Sequence, residues 1–65
     1  MQVLVNGEAV ATKASTLDEL CASLGYIDAK VATAVNGAFV AAGDRSATPL
    51  RPADKVEIVA PRQGG

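Results

Sequence analysis

Two Asn-Gly pairs, Asn6-Gly7 and Asn36-Gly37, constrain this chain more than any other feature. Each lies between short alternating apolar runs. A two-residue Asn-Gly loop closes a β-hairpin because both loop residues tolerate positive φ. The opening MQVLV puts Met1, Val3 and Val5 on one face and Gln2 and Leu4 on the other, and a return strand follows over roughly Glu8 to Thr12. The second pair joins a strand over Val31 to Val35 to a short one over Ala38 to Ala41. With two hairpins fixed, the segments between and after them decide the fold.

Between them lies STLDELCASLG. Thr16 can cap a helix and Glu19 stands three residues later, the spacing of a capping box. Leu17, Leu20, Cys21 and Leu24 recur at i, i+3, i+4 and i+7, which predicts one apolar face on a helix over about Leu17 to Leu24. Gly25 suits the left-handed position that ends it. Asp18 and Glu19 sit at its N-terminus, where negative charge is favoured. After the second hairpin, Ala42 to Pro49 reads as a loop with one helical turn around Gly43 to Ser46, kept irregular by Pro49 and Pro52. A fifth strand follows at KVEIVA, where Val56, Ile58 and Ala60 alternate with Lys55, Glu57 and Val59.

One helix covers one face of a sheet this size. The first and fifth strands are expected side by side at the centre and parallel, since the helix and second hairpin supply the crossover that parallel pairing needs. The predicted architecture is α+β: a β-grasp, with a mixed sheet of five (or four) strands packed on one main helix. Residues 1–60 are expected to form the domain and 61–65 a flexible tail. Val3, Val5, Val56 and Ile58 should face the helix. Leu4 and Val59 should then face outward on neighbouring strands near the tail, as a candidate docking patch for a partner.

Composition limits what such a domain can do by itself. Its 65 residues allow one domain at most, and the sequence has no histidine and a single cysteine. No internal disulfide is possible, and no Cys/His cluster can hold zinc. There is no Ser/His pair, no glycine-rich phosphate loop and little depth for a pocket, so the chain reads as one that enzymes act on rather than as an enzyme. A net charge of −1 excludes a basic nucleic-acid footprint. No apolar run reaches the length of a membrane span. The lone thiol and the lack of a signal peptide lead to the expectation of a reducing cytoplasm. Cys21, on the apolar helix face, reads as a core residue rather than a sulfur relay.

The sequence closes on PRQGG. Pro61 ends the ladder of the fifth strand by removing a donor, and Arg62, Gln63, Gly64 and Gly65 have nothing local to pack on. At ~3.3 Å per residue they reach at most roughly 13 Å from the domain. A thin, side-chain-free end can enter a narrow channel in another enzyme, and Arg62 could guide it into an anionic slot. The terminal carboxylate is a poor acyl electrophile until activated, for example as an acyl-adenylate. A sulfur nucleophile could then displace AMP and leave a thiocarboxylate on Gly65, with Gly64 giving access. The plainer reading is a frayed end.

VNGE at Val5 to Glu8, the TLDEL helix start, AVNGAFV at Ala34 to Val40 and, above all, DKVEIVAPRQGG at Asp54 to Gly65 resemble the thiamine-biosynthesis sulfur carriers, the ThiS family. The resemblance covers nearly the whole chain; AAGDRS at Ala41 to Ser46 departs from it, where the family often has a proline and bulkier side chains. It implies a ubiquitin-like β-grasp fold and adenylation of Gly65 by an E1-like adenylyltransferase. It further implies sulfur from a cysteine desulfurase or similar donor, and delivery to thiazole synthase. ATP and Mg²⁺ would be bound by the activating partner, and the carrier would hold no cofactor or metal. Molybdopterin synthase small subunits share the fold and tail chemistry but usually have longer chains before the AVN turn. A protein modifier and a plain β-grasp interaction domain are the readings from other classes.

Overall fold

Both Asn-Gly pairs turn as the sequence predicts. In the computed structural model, which describes residues 1–26 and 30–60, Asn6 and Asn36 take φ 50° and 51° and the glycines after them φ 86° and 85°. Each turn therefore has two left-handed residues, the geometry whose twist matches that of the flanking strands. The first joins β1 (Gln2–Val5) to β2 (Glu8–Ala11), and the second joins β3 (Ala32–Val35) to β4 (Ala38–Val40). The last strand, β5 (Lys55–Val59), lies between the hairpins, giving the order β2-β1-β5-β3-β4. It runs parallel to β1 and antiparallel to β3, so the expected central parallel pair is present in a mixed five-stranded sheet.

The helix α1 spans Leu17–Ser23 and starts on its cap. Glu19 N–H donates to Thr16 Oγ1 at 3.2 Å. The return half of the capping box lands one residue earlier than the usual pattern: Ser15 N–H and Ser15 Oγ donate to Glu19 Oε1 at 2.8 and 2.9 Å. The Ser15 backbone N–H, aided by the Ser15 hydroxyl, holds the Glu19 carboxyl below the usual carboxylate range. A lowered carboxylate pKa adds stability above the unfolded pKa, and that stability is lost as pH falls through the folded value. Glu19→Gln should therefore unfold more readily than wild type at neutral pH, with the gap closing on acidification. Thermal melts at several pH values test this, and a gap independent of pH would rule out the carboxylate charge as its source.

At its other end α1 closes in a Schellman motif. Gly25 N–H donates to Ala22 O at 3.1 Å and Tyr26 N–H to Cys21 O at 2.9 Å, with Gly25 at φ 90°. Leu24 departs from expectation. It occupies the C-cap with ψ 3°, its N–H still donating to Leu20 O at 3.1 Å, and is 37% exposed rather than part of the buried face. Tyr26 packs against the core instead.

The core lies between α1 and one sheet face. Leu17, Leu20 and Cys21 meet Val3, Val56, Ile58 and Val40, and Leu50 joins from the connection before β5. Val5 is only half-buried against this cluster. The helix entrance is tied to that connection by Leu17 N–H to Thr48 O and Leu50 N–H to Ser15 O, both 2.9 Å.

The segment Ala42–Ala47 forms a 3₁₀ helix, longer than the single turn expected. Its Arg45 reaches back to β3: Nε donates to Thr33 Oγ1 at 3.0 Å and Nη2 to Val31 O at 2.6 Å. Thr33, the buried polar residue among the described residues, donates in turn to Val40 O at 2.7 Å. Its hydroxyl is thus satisfied as donor and acceptor, which a buried polar group requires.

Candidate functional site

The candidate residues at the end of the sequence follow β5, so the contacts that hold that strand come first. On one side β3 pairs along its whole length, from Val35↔Val56 to Ala32↔Val59. On the other side β1 covers only its beginning, with register Leu4↔Lys55 and Val5↔Val56. Beyond Val5 the backbone turns away into the hairpin. The Asn6 side chain takes over: Ile58 N–H donates to Asn6 Oδ1, and Asn6 Nδ2 donates to Ile58 O, both at 3.0 Å. Asn36 makes a different pair of bonds near the start of the strand, one to backbone and one to a carboxylate. Lys55 N–H donates to Asn36 Oδ1 at 3.0 Å, and Asn36 Nδ2 donates to Asp54 Oδ1 at 3.1 Å.

The register corrects one expectation about the outer face. Leu4 and Val59 do face away from the helix on neighbouring strands, but Leu4 stands beside Lys55, four residues before Val59. At ~3.3 Å per residue they are roughly 13 Å apart along the strand, and only Val59 is at the tail end. Leu4 is half-buried and borders two open, shallow depressions, one shared with Lys55 and Glu57 and the other with Ala9 and Pro52. Val59, 60% exposed, sits opposite Ala32. Ala34 lies between Glu57 and Phe39, and Phe39 is 72% exposed.

Phe39 was not among the residues singled out from the sequence. The signal was available: Val40 turns inward, so its neighbour on a strand must turn outward. Of the remaining candidates, Arg62, Gln63, Gly64 and Gly65 lie outside the described residues, as does part of the connection after α1.

Cys21 is buried, and desolvation pushes its thiol pKa up, with Arg45 opposing. A raised pKa leaves little thiolate, the form a sulfur relay would need. Among the described residues no three His, Cys, Asp or Glu side chains come together as metal ligands. None of the described helices is long and apolar enough to cross a membrane.

A mixed sheet with its last strand central, one helix across one face and two flanking hairpins defines a ubiquitin-like β-grasp protein. The family model described as the ThiS family matches residues 2–65. The chain belongs to the ThiS family. It is also similar to the crystal structure of a thiamine biosynthesis protein (ThiS) from Geobacter metallireducens, with 28% identity, complete coverage of both chains and a TM-score of 0.81. No curated protein matches it.

Proposed function

We propose that this protein is a sulfur carrier of thiamine biosynthesis whose reactive group is the Gly65 carboxylate. One observation carries the reading: in the sequence PRQGG follows the central strand β5 after a single residue, and the family match extends through Gly65. An E1-like adenylyltransferase binding ATP and Mg²⁺ joins the carboxylate to AMP with loss of pyrophosphate. A sulfur nucleophile, supplied by a cysteine desulfurase or a similar donor, then displaces AMP, and sulfur replaces one carboxylate oxygen. Thiazole synthase receives that sulfur. Gly64 lets the backbone pass through a narrow channel, since it presents no side chain and accepts any φ. The chain is a co-substrate in this scheme, with no catalytic group of its own.

The test is the intact mass of the chain after incubation with ATP, Mg²⁺, an E1-like enzyme and sulfide. A gain equal to exchanging one oxygen for sulfur, absent when ATP is omitted, is the expected result. No gain from a folded chain with an active enzyme would count against the carrier reading and favour a modifier or an interaction domain.

Partner recognition on this scheme uses the outer sheet face together with Arg62 and Gln63. Val59 lies nearest the tail and shares its surface with Ala32, and Leu4 contributes further back. Val59→Asp should lower kcat/KM for adenylation, read as pyrophosphate release, by about 10-fold, the loss typical of a useful interface anchor. Its exposure means the melting temperature should barely move. Leu4→Asp should add a folding cost, because Leu4 is half-buried. Unimpaired adenylation of folded V59D would remove Val59 from the interface.

A further inference from the structure

We propose that Asn6 is a positioning residue for the tail: its side-chain amide stands in for the missing next residue of β1 and fixes the direction in which β5 delivers the chain end. The inference rests on the carrier reading above and deepens it.

The geometry is specific. Leu4 N–H donates to Asp54 O and Asn6 N–H to Val56 O, both at 2.9 Å, so the ladder between β1 and β5 is regular up to that point. With Asn6 at φ 50°, its backbone leaves the sheet just where Ile58 presents its next N–H and C=O. A side-chain amide carries one acceptor and one donor group, as a peptide does. Asn6 uses both on Ile58, two residues before Ala60. Without them, the last stretch of β5 would be held on its β3 side alone.

Turn chemistry alone does not account for this. A left-handed first turn residue can be glycine, aspartate or asparagine, yet only asparagine offers both groups to the strand. Asn36 provides an internal comparison. It occupies the same place in the other hairpin, but because β3 is antiparallel to β5 its side chain secures the start of the strand, at Asp54 and Lys55. Asn36 thus gives β5 one backbone contact near its start and spends its amide N–H on the Asp54 carboxylate, whereas Asn6 holds both backbone groups of Ile58 near the other end.

Asn6→Gly and Asn36→Gly separate positioning from stability. Glycine keeps the left-handed turn, and each variant loses two side-chain hydrogen bonds, in N6G both to the Ile58 backbone and in N36G one to the Lys55 backbone and one to the Asp54 carboxylate. In N6G, amide exchange at Ile58 should accelerate about 10-fold, as expected for removal of one shielded hydrogen bond, while Val56 stays within about twofold. At a temperature where both variants are fully folded, kcat/KM for tail adenylation should fall about 5-fold in N6G and stay at the wild-type value in N36G, in keeping with the sensitivity of such reactions to orientation. Equal losses in both variants, or wild-type adenylation in an N6G chain with fast Ile58 exchange, would overturn the proposal. Slow exchange at Ile58 in N6G would refute the clamp itself. A wild-type chain that is not adenylated would remove the carrier reading, and this role with it, whatever the exchange rates.

Discussion

A chain shortened by Gly65 is expected to stay folded and to take up no sulfur. Glycine contributes no side chain to a core, and the described core is built from residues between Val3 and Ile58, so the melting temperature should not change. The shortened chain still ends in a carboxylate, now on Gly64. That carboxylate is one residue, ~3.3 Å, nearer the domain. Acyl transfer needs the reacting atoms within about 3–3.5 Å of each other, so a displacement of that size takes the electrophile out of reach. Loss of at least about 100-fold in thiocarboxylate formation is expected, consistent with the penalty for a misplacement of even ~1 Å. Replacing Gly65 by alanine, which keeps the length, should be far milder. If the shortened chain gained sulfur at the wild-type rate, the terminal carboxylate of Gly65 could not be the reacting group.

The second large effect concerns the helix. Leu20→Ala is expected to cost about 2–5 kcal/mol, the range for emptying a fully buried leucine site. Leu20 is fully buried in the core cluster, and alanine is the better helix former, so propensity cannot explain a loss. A chain of 65 residues has roughly 3–10 kcal/mol of stability to lose, scaling the usual per-residue range. The variant should melt at least about 8 °C lower, given ~4–8 °C per kcal/mol for small domains. Leu24→Ala, at the exposed C-cap, should cost far less. Urea melts of the two variants decide it, and equal losses at both positions would contradict the packing described.

The difference between those two leucines also shows where sequence patterning stops. Periodicity places Leu17, Leu20, Cys21 and Leu24 on one face, and three of them are buried. The fourth, Leu24, is the C-cap next to Gly25, whose left-handed backbone ends the helix, and it lies 37% exposed at that end. The hairpins, the helix start and the central parallel pair were legible, since each rests on local chemistry or on a connection rule. The offset between β1 and β5 was not. Alternation tells which face Leu4 occupies but not how far one strand slides along its neighbour, so Leu4 was placed too near the tail. The 3₁₀ segment is set by the distant contact of Arg45 with Thr33 and Val31, which no local pattern encodes. The turn into β5 has Ala53 at φ 69°, where glycine or asparagine is the usual choice. Its N–H donates to Gln2 O at 2.8 Å, a tertiary contact that compensates for the unfavourable backbone. For the candidate site, residue type alone suggested a chemistry for the last residues, whereas the contacts of Asn6 and the exposure of Phe39 depend on strand ends and register.

The central place of β5 has a consequence for how the protein is made. A ribosome releases the two hairpins and α1 before it releases β5. Until that strand emerges, β1 and β3 each present a bare edge, the kind of surface that pairs with other chains. Pairing β1 with β5 also closes a loop of about 50 residues, a non-local step of the sort that slows folding. The domain can therefore finish only after synthesis has passed Val59. A nascent chain that stalls earlier lacks the middle of its sheet and is open to proteolysis, so a finished domain certifies that translation has reached the strand from which the tail continues.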